Sequence, residues 1–161
     1  MNEDQKSRLE FKRKFILENL ERVKKGHDRV MNNSESAKKW VVTIWFGFIA
    51  LSLKEKWPAN ETFILSLFIV LMFYLIDSYF VSLAIEYSKR IDPIERWIMS
   101  SSDEDILNLN SALHDIGPSF SFKNRIFNYL NALINRYVII FYVFLVSASI
   151  LVTKLFAFNK C

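Results

Sequence analysis

Hydrophobic positions gather into three blocks, joined by stretches in which they recur every three or four residues. The longest block, residues 62–85, reads TFILSLFIVLMFYLIDSYFVSLAI and carries one formal charge, Asp77. A hydrocarbon core of ~30 Å needs about 20 apolar residues at ~1.5 Å each, so this block predicts a membrane-spanning helix. Residues 40–54 form a shorter block. Lys38, Lys39 and Lys54 flank it and can reach outward to water, and Trp40 and Trp57 sit where interfacial aromatics sit. With Pro58 in the short connection, the two blocks predict a transmembrane hairpin over residues 38–86. A third span is predicted over residues 136–157, introduced by Arg136.

The segments outside the blocks read as amphipathic helices. Over residues 1–34, Leu9, Arg13, Ile16, Leu20, Val23, His27 and Val30 recur at alternating spacings of four and three, with Phe11 and Phe15 widening the stripe. Such a stripe packs either on helices of its own subunit or on a second copy. Gly26 weakens the helix, and Asn32, Asn33 and Ser34 predict a joint before the first span. Residues 87–135 predict a further helical segment. Asp92-Pro93-Ile94-Glu95 has the form of a helix start, with Asp at the cap, Pro at the first position and Glu at the third. That helix is expected to run to about Ser100. Ser102 to Asp105 caps another, with Ile106, Leu109, Leu113 and Ile116 on its apolar face and Gly117-Pro118 as its stop. Phe122, Ile126, Leu130, Leu133 and Ile134 then mark an amphipathic helix that lies on the headgroups or under the bundle. No Gly or Pro separates it from the third span, so one bent helix is also compatible with the sequence. The expected fold is all-α: a polytopic membrane protein with three transmembrane helices plus amphipathic cytoplasmic helices.

Composition agrees with long helices. The 161 residues include 15 Phe but only 3 Gly and 3 Pro, leaving few sites for turns. Mean hydropathy is only +0.14, because the charged residues stand almost entirely outside the apolar blocks. Residues 1–39 hold 11 Lys and Arg against 7 Asp and Glu; the 54–61 turn holds 2 basic residues and residues 86–136 hold 6. Basic residues collect on the cytoplasmic side, so the amino terminus and the 86–136 region are expected there and the carboxyl terminus outside. Juxtamembrane charge of this kind touches anionic lipid; nucleic acid is the weaker reading of a net +4. The single cysteine, Cys161, permits no intrachain disulfide. The first apolar block follows a long charged segment, so no signal peptide is expected.

Asp77 is the candidate site. A carboxylate within a span costs roughly 2.5–3.5 kcal/mol on insertion scales, which makes a functional role its default reading. It lies ~22 Å along the helix from Thr62, in the cytoplasmic third of a bilayer whose outer edge is at Thr62. With Tyr74, Ser78 and Tyr79 it forms either a pore-lining or proton-sensitive inner mouth, or a structural node bonded to Tyr, Trp or Arg136. Thr43 and Gly47, and Ser149 and Thr153, have close-packing spacing; Ser66 and Ser147 are further small polar span positions. Leu9, Ile16, Leu20, Val23, Val30, Thr43 and Gly47 are candidate subunit contacts, and Lys39, Trp40 and Arg136 candidate interfacial anchors. No catalytic, cofactor-binding or metal-binding residue is assigned and no enzyme activity is expected. His27 and His114 are the only histidines, and the chain holds no HExxH, GxSxG or phosphate-binding glycine loop. Arg22 and His27 match a spacing found in one class of ribonucleases, as a segment this basic does by chance. Asp103, Glu104 and Asp105 suit a helix start better than a cation.

Four pieces of the chain occur in the order of a known pattern: Arg29 to Ser34, Lys39 to Thr43, Phe73 to Phe80 and Arg136 to Tyr142. They resemble a family of small three-span bacterial inner-membrane proteins with an Asn-Ser, a Lys-x-Trp-x-Val-Thr and a Leu-x-Asp-x-Tyr element. The resemblance implies shared positions at Asn33, Ser34, Lys39, Trp40, Thr43, Asp77 and Tyr79. The chain departs from the pattern at Tyr74, where the family has Trp, and at Ala84-Ile85, where it has Glu-Arg; Glu86 and Arg90 stand nearby. In plan the chain also looks like small membrane effectors of bacterial antiviral defence. The resulting expectation is an oligomeric pore-forming or membrane-perturbing protein of the bacterial inner membrane, controlled by a cytoplasmic signal or partner. A non-conducting scaffold or adaptor that anchors a cytoplasmic partner is the alternative. The expected partners are the lipid bilayer, further copies of the chain and a cytoplasmic protein.

Overall fold

A computed structural model describes residues 3–107 and 122–158. It is all-α, with no strand among the described residues. Helix α1 covers Glu3–Lys54, α2 Ala59–Ser100, α3 Asp103–Leu107, α4 Phe122–Leu133 and α5 Arg136–Phe158. Three of them, α1, α2 and α5, are long and apolar enough to cross a membrane.

The first span and the amino-terminal amphipathic segment are one helix of 52 residues, about 78 Å long. The joint expected at Asn32, Asn33 and Ser34 does not form. Asn and Ser cost a helix interior only a few tenths of a kcal/mol each, and Ser34 is turned inward, 1% exposed. Helix α2 likewise runs through Asp92 and Pro93 to Ser100, where a new helix start was expected. An interior proline costs ~3 kcal/mol. Packing of Ile94, Trp97 and Ile98 against Leu9, Ile16 and Ile106 offsets that cost, together with a Lys24–Glu95 ion pair of 2.6 Å. The Ser102 to Asp105 cap forms as expected: the Ser102 N–H donates to Asp105 Oδ2 at 2.8 Å, and the Asp105 N–H to Ser102 Oγ at 3.3 Å. The rest of that helix's expected face, Leu109, Leu113 and Ile116, and its Gly117-Pro118 stop lie outside the described residues.

Between α1 and α2 the chain closes in a Schellman turn. The Trp57 N–H donates to the Ser52 carbonyl at 3.0 Å and the Lys56 N–H to Leu53 at 3.3 Å, with Lys56 left-handed at φ 54°. The two helices then run antiparallel along their length. Val41, Trp45 and Ile49 of α1, Val70 of α2, and Val138, Tyr142 and Leu145 of α5 form the core of a three-helix bundle. A second core, around Leu9, Ile16 and Ile106, joins α1, α2 and α3 into a stalk at the charged end. Lys12 Nζ donates to the Leu107 carbonyl and Arg13 pairs with Asp103, each at 2.6 Å, tying α3 to α1.

Helices α4 and α5 are separate. Asn135 caps α5, its Oδ1 accepting from the Tyr137 N–H at 3.0 Å, while its own N–H closes α4 on the Ala132 carbonyl. Above the break α5 packs in the bundle; below it α4 leans along α2. Lys89 Nζ reaches Asn128 Oδ1 at 2.6 Å, and the Tyr74 hydroxyl donates to the Leu133 carbonyl.

Candidate functional site

The antiparallel register of α1 and α2 sets residue 34 opposite residue 77, and this builds the first of two buried polar nodes. Asp77 is fully buried and accepts a hydrogen bond from the Ser34 hydroxyl. Lys38, one turn further along α1, donates to Ser34 Oγ at 3.0 Å and stands 3.3 Å from Asp77 Oδ2. The carboxylate thus meets a hydroxyl and an ammonium, and the Lys38 side chain keeps 27% exposure at the rim. Such an arrangement compensates a buried negative charge while the cation's stem runs out along apolar surface. The partners expected from the sequence were Tyr, Trp or Arg136. Arg136 is instead exposed, and Lys38 and Ser34 take the place because the register of α1 sets them opposite Asp77. One turn before Asp77 on α2, the Phe73 carbonyl accepts the Tyr142 hydroxyl at 3.0 Å, which brings α5 to the same level.

The second node is neutral and joins all three bundle helices. Trp45 Nε1 of α1 donates to Ser66 Oγ of α2 at 2.6 Å and to Ser149 Oγ of α5 at 2.9 Å. The two hydroxyls stand 2.8 Å apart, and Ser149 donates to the Leu145 carbonyl at 2.9 Å. Every polar atom of this cluster has a partner in apolar surroundings, as the interior of a membrane bundle requires.

The remaining candidate residues fall into two groups. Tyr74 stacks edge-on against Tyr142 at 5.3 Å. Ser78 is buried beside Asp77, its hydroxyl without a hydrogen-bond partner among the described residues. Leu9, Ile16, Leu20 and Val30 are buried within the chain and Val23 is half-buried. Facing outward are Tyr79, Lys39, Trp40, Thr43 and Gly47, with open space beside Gly47. His27 neighbours Asp28 at 3.4 Å, and His114 lies outside the described residues.

Sequence reasoning passed over four residues. Trp45 lay in an apolar run, with nothing local to mark it as a donor. Asn135 is a cap type just before Arg136, a signal that was present. Lys38 reads in the sequence as a flanking lysine that reaches outward to water, though four residues from Ser34 it shares that residue's face. Tyr87 packs its ring onto Gly26, where a Cβ would stand 2.8 Å from the ring, so Gly26 serves close approach of α1 and α2. In the exposed stalk, Asp105 is held below the usual carboxylate range by hydrogen bonds from Ser102, and Glu21 by its hydrogen bond and attraction to Lys25.

No family model, curated protein or solved structure matches the chain.

Proposed function

We propose that the chain is a non-conducting membrane anchor whose helical stalk binds a cytoplasmic protein. The observation that carries this reading is the pair Phe11 and Phe15, one turn apart on α1 and 72% and 44% exposed. Phe15 stands 23 residues before Lys38, about 35 Å along the helix, beyond the reach of a bilayer crossed by the apolar half. Uncovered rings at that distance fit a protein surface rather than lipid. The polar contacts inside the bundle agree with an anchor. The three bundle helices touch through direct hydrogen bonds at Trp45, and Asp77 is already paired within the chain. The distribution of Lys and Arg supports a cytoplasmic amino terminus and stalk, and an outer carboxyl terminus. The motif resemblance supports the bacterial inner membrane as the location.

One observation favours a second reading, an oligomeric pore-forming or membrane-perturbing effector of the antiviral kind. Thr43 and Gly47 lie one turn apart on an outward face of α1, where small residues admit the close approach of a neighbouring copy. The path would then run between copies, since the bundle itself is packed. Reconstitution in liposomes separates the two readings, with the subunit count measured in detergent. A monomer or dimer without ion leak is expected for the anchor. A ring of several subunits that leaks ions overturns it in favour of the effector.

A further inference from the structure

Helix α1 carries a second stripe on its outer side. Phe11, Phe15, Glu18, Arg22, Lys25 and Arg29 recur at alternating spacings of four and three, and all six are exposed. That alternation keeps one seam of a helix turned toward a neighbouring helix. The distal end of the stripe is aromatic and its membrane-proximal end is basic. Phe15, Arg22 and Arg29 stand seven residues apart, about 10.5 Å per step.

The charges at the basic end are unevenly partnered. Lys25 holds Glu21 at 2.7 Å, and Lys14 stands 4.0 Å from Glu18. Arg22 and Arg29 make no hydrogen bond or ion pair among the described residues. Beside them is a depression of about 570 Å³, bordered by Glu18, Glu21, Arg22, Lys25 and Arg29 and, from α2, by Tyr87. Two unpaired guanidinium groups therefore face an open groove, one and two heptads from the Phe15 ring.

We infer that the partner of the stalk is an acidic amphipathic helix lying along this stripe. Its apolar side chains would cover Phe11 and Phe15, and two of its carboxylates, seven residues apart, would meet Arg22 and Arg29. The inference rests on the reading of the stalk as a protein-binding surface and names the chemistry of its partner. Helices side by side share one rise per heptad, so acids at that spacing stay in register with the arginines. A guanidinium offers paired N–H donors that match a carboxylate. The rings supply apolar area, and the charges select the partner. A second copy fits this stripe poorly. All copies cross the bilayer in one direction, so a two-fold pair would run parallel and set Arg22 against Arg22 and Arg29 against Arg29. Lipid is also a poor match. Arg22 stands 16 residues before Lys38, about 24 Å along the helix, well past a headgroup layer of roughly 5–8 Å.

The test titrates the full chain in detergent micelles, by fluorescence anisotropy, with two synthetic helices of about four heptads. The acidic probe carries leucines placed to reach Phe11 and Phe15 and glutamates placed to reach Arg22 and Arg29. The basic probe has lysines instead of the glutamates. The acidic probe is expected to bind about tenfold more tightly, the size of two exposed ion pairs turned repulsive. Phe11→Gln with Phe15→Gln should abolish binding. Arg22→Glu with Arg29→Glu should invert the preference between probes, while Lys6→Glu, off the stripe, should leave it unchanged. Equal binding of the two probes, or none of the acidic one, overturns the acidic helix. If equal binding still requires Phe11 and Phe15, the stalk remains a protein surface and only the partner's chemistry is refuted. If it is indifferent to them, the stalk reading fails too. A dimer of the parent chain that Phe11→Gln with Phe15→Gln dissociates overturns the inference in favour of a second copy. A nitroxide on Phe11→Cys, with Cys161→Ser, in phosphatidylglycerol liposomes should collide with a water-soluble nickel chelate. Collision with membrane-dissolved oxygen instead overturns it in favour of lipid.

Discussion

The two buried nodes solve the same problem at different depths, and their difference shows what each depth tolerates. Trp45, Ser66 and Ser149 form a closed neutral cluster where all three apolar helices meet. Ser34, Asp77 and Lys38 form an ionic cluster, and it sits where Lys38 still reaches the rim. A neutral hydroxyl–indole group needs only internal partners. A carboxylate needs a cation as well, and a lysine provides one cheaply only if its stem can run to the interface. Position along the helix therefore decides the chemistry of the node.

The largest effect is expected at the ionic node. Lys38→Met leaves Asp77 buried without its cation and should destabilise the chain by about 3–5 kcal/mol, read by denaturant titration in detergent. Adding Asp77→Leu should recover most of the loss, since an apolar pair of similar size replaces the ions. If the double variant is no better than the single, charge is not what distinguishes the two nodes.

At the neutral node the penalty should be smaller. Trp45→Phe removes the indole donor and keeps most of the ring volume, at a cost of about 1–2 kcal/mol by the same titration. A loss as large as that of Lys38→Met would erase the contrast.

Close to 1 kcal/mol is expected where the same helices touch with neither node, at Gly26 and Tyr87. In a Tyr87→Ala background, Gly26→Ala should stabilise by about 1 kcal/mol through helix propensity. With Tyr87 present the gain should vanish or reverse, because the new Cβ meets the ring. Equal effects in both backgrounds would mean that the ring does not depend on the glycine.

The smallest effect is expected outside the apolar region, at the Ser102 and Asp105 cap. The folded state holds the Asp105 carboxyl below its ordinary value. The cap's contribution is therefore full above the unfolded value of ~3.9 and is lost as the pH falls through the lower folded value. Amide exchange in α3 should quicken over that acid range, and Asp105→Asn should flatten the dependence. A flat profile in the parent chain would leave the cap without electrostatic character.

Much of this was legible in the sequence. The three apolar helices, the amphipathic stripe through Leu9, Ile16, Leu20 and Val30, the Ser102 cap and the need of Asp77 for compensation follow from periodicity and the cost of burying charge, whereas the stripe's packing on helices of its own chain does not. What failed were the boundaries. Asn33-Ser34 and Asp92-Pro93 are sound local signals for a helix to begin or end. Both were overridden because long-range packing on the partner helix offsets local costs of a few kcal/mol at most. Asn135 worked the other way: an ordinary cap ended a helix that no Gly or Pro marked.

The sequence by itself determined that the chain is helical, that three helices can cross a membrane, and that one carboxylate must find compensation. Those properties depend on residues close together in the chain, where spacing and composition act directly. Only the tertiary structure decided that Asp77 meets Ser34 and Lys38, that Trp45 joins α1, α2 and α5, and that α4 leans on α2. These depend on the register of helices dozens of residues apart. That register follows from the total burial along the full helix pair, which no local pattern contains.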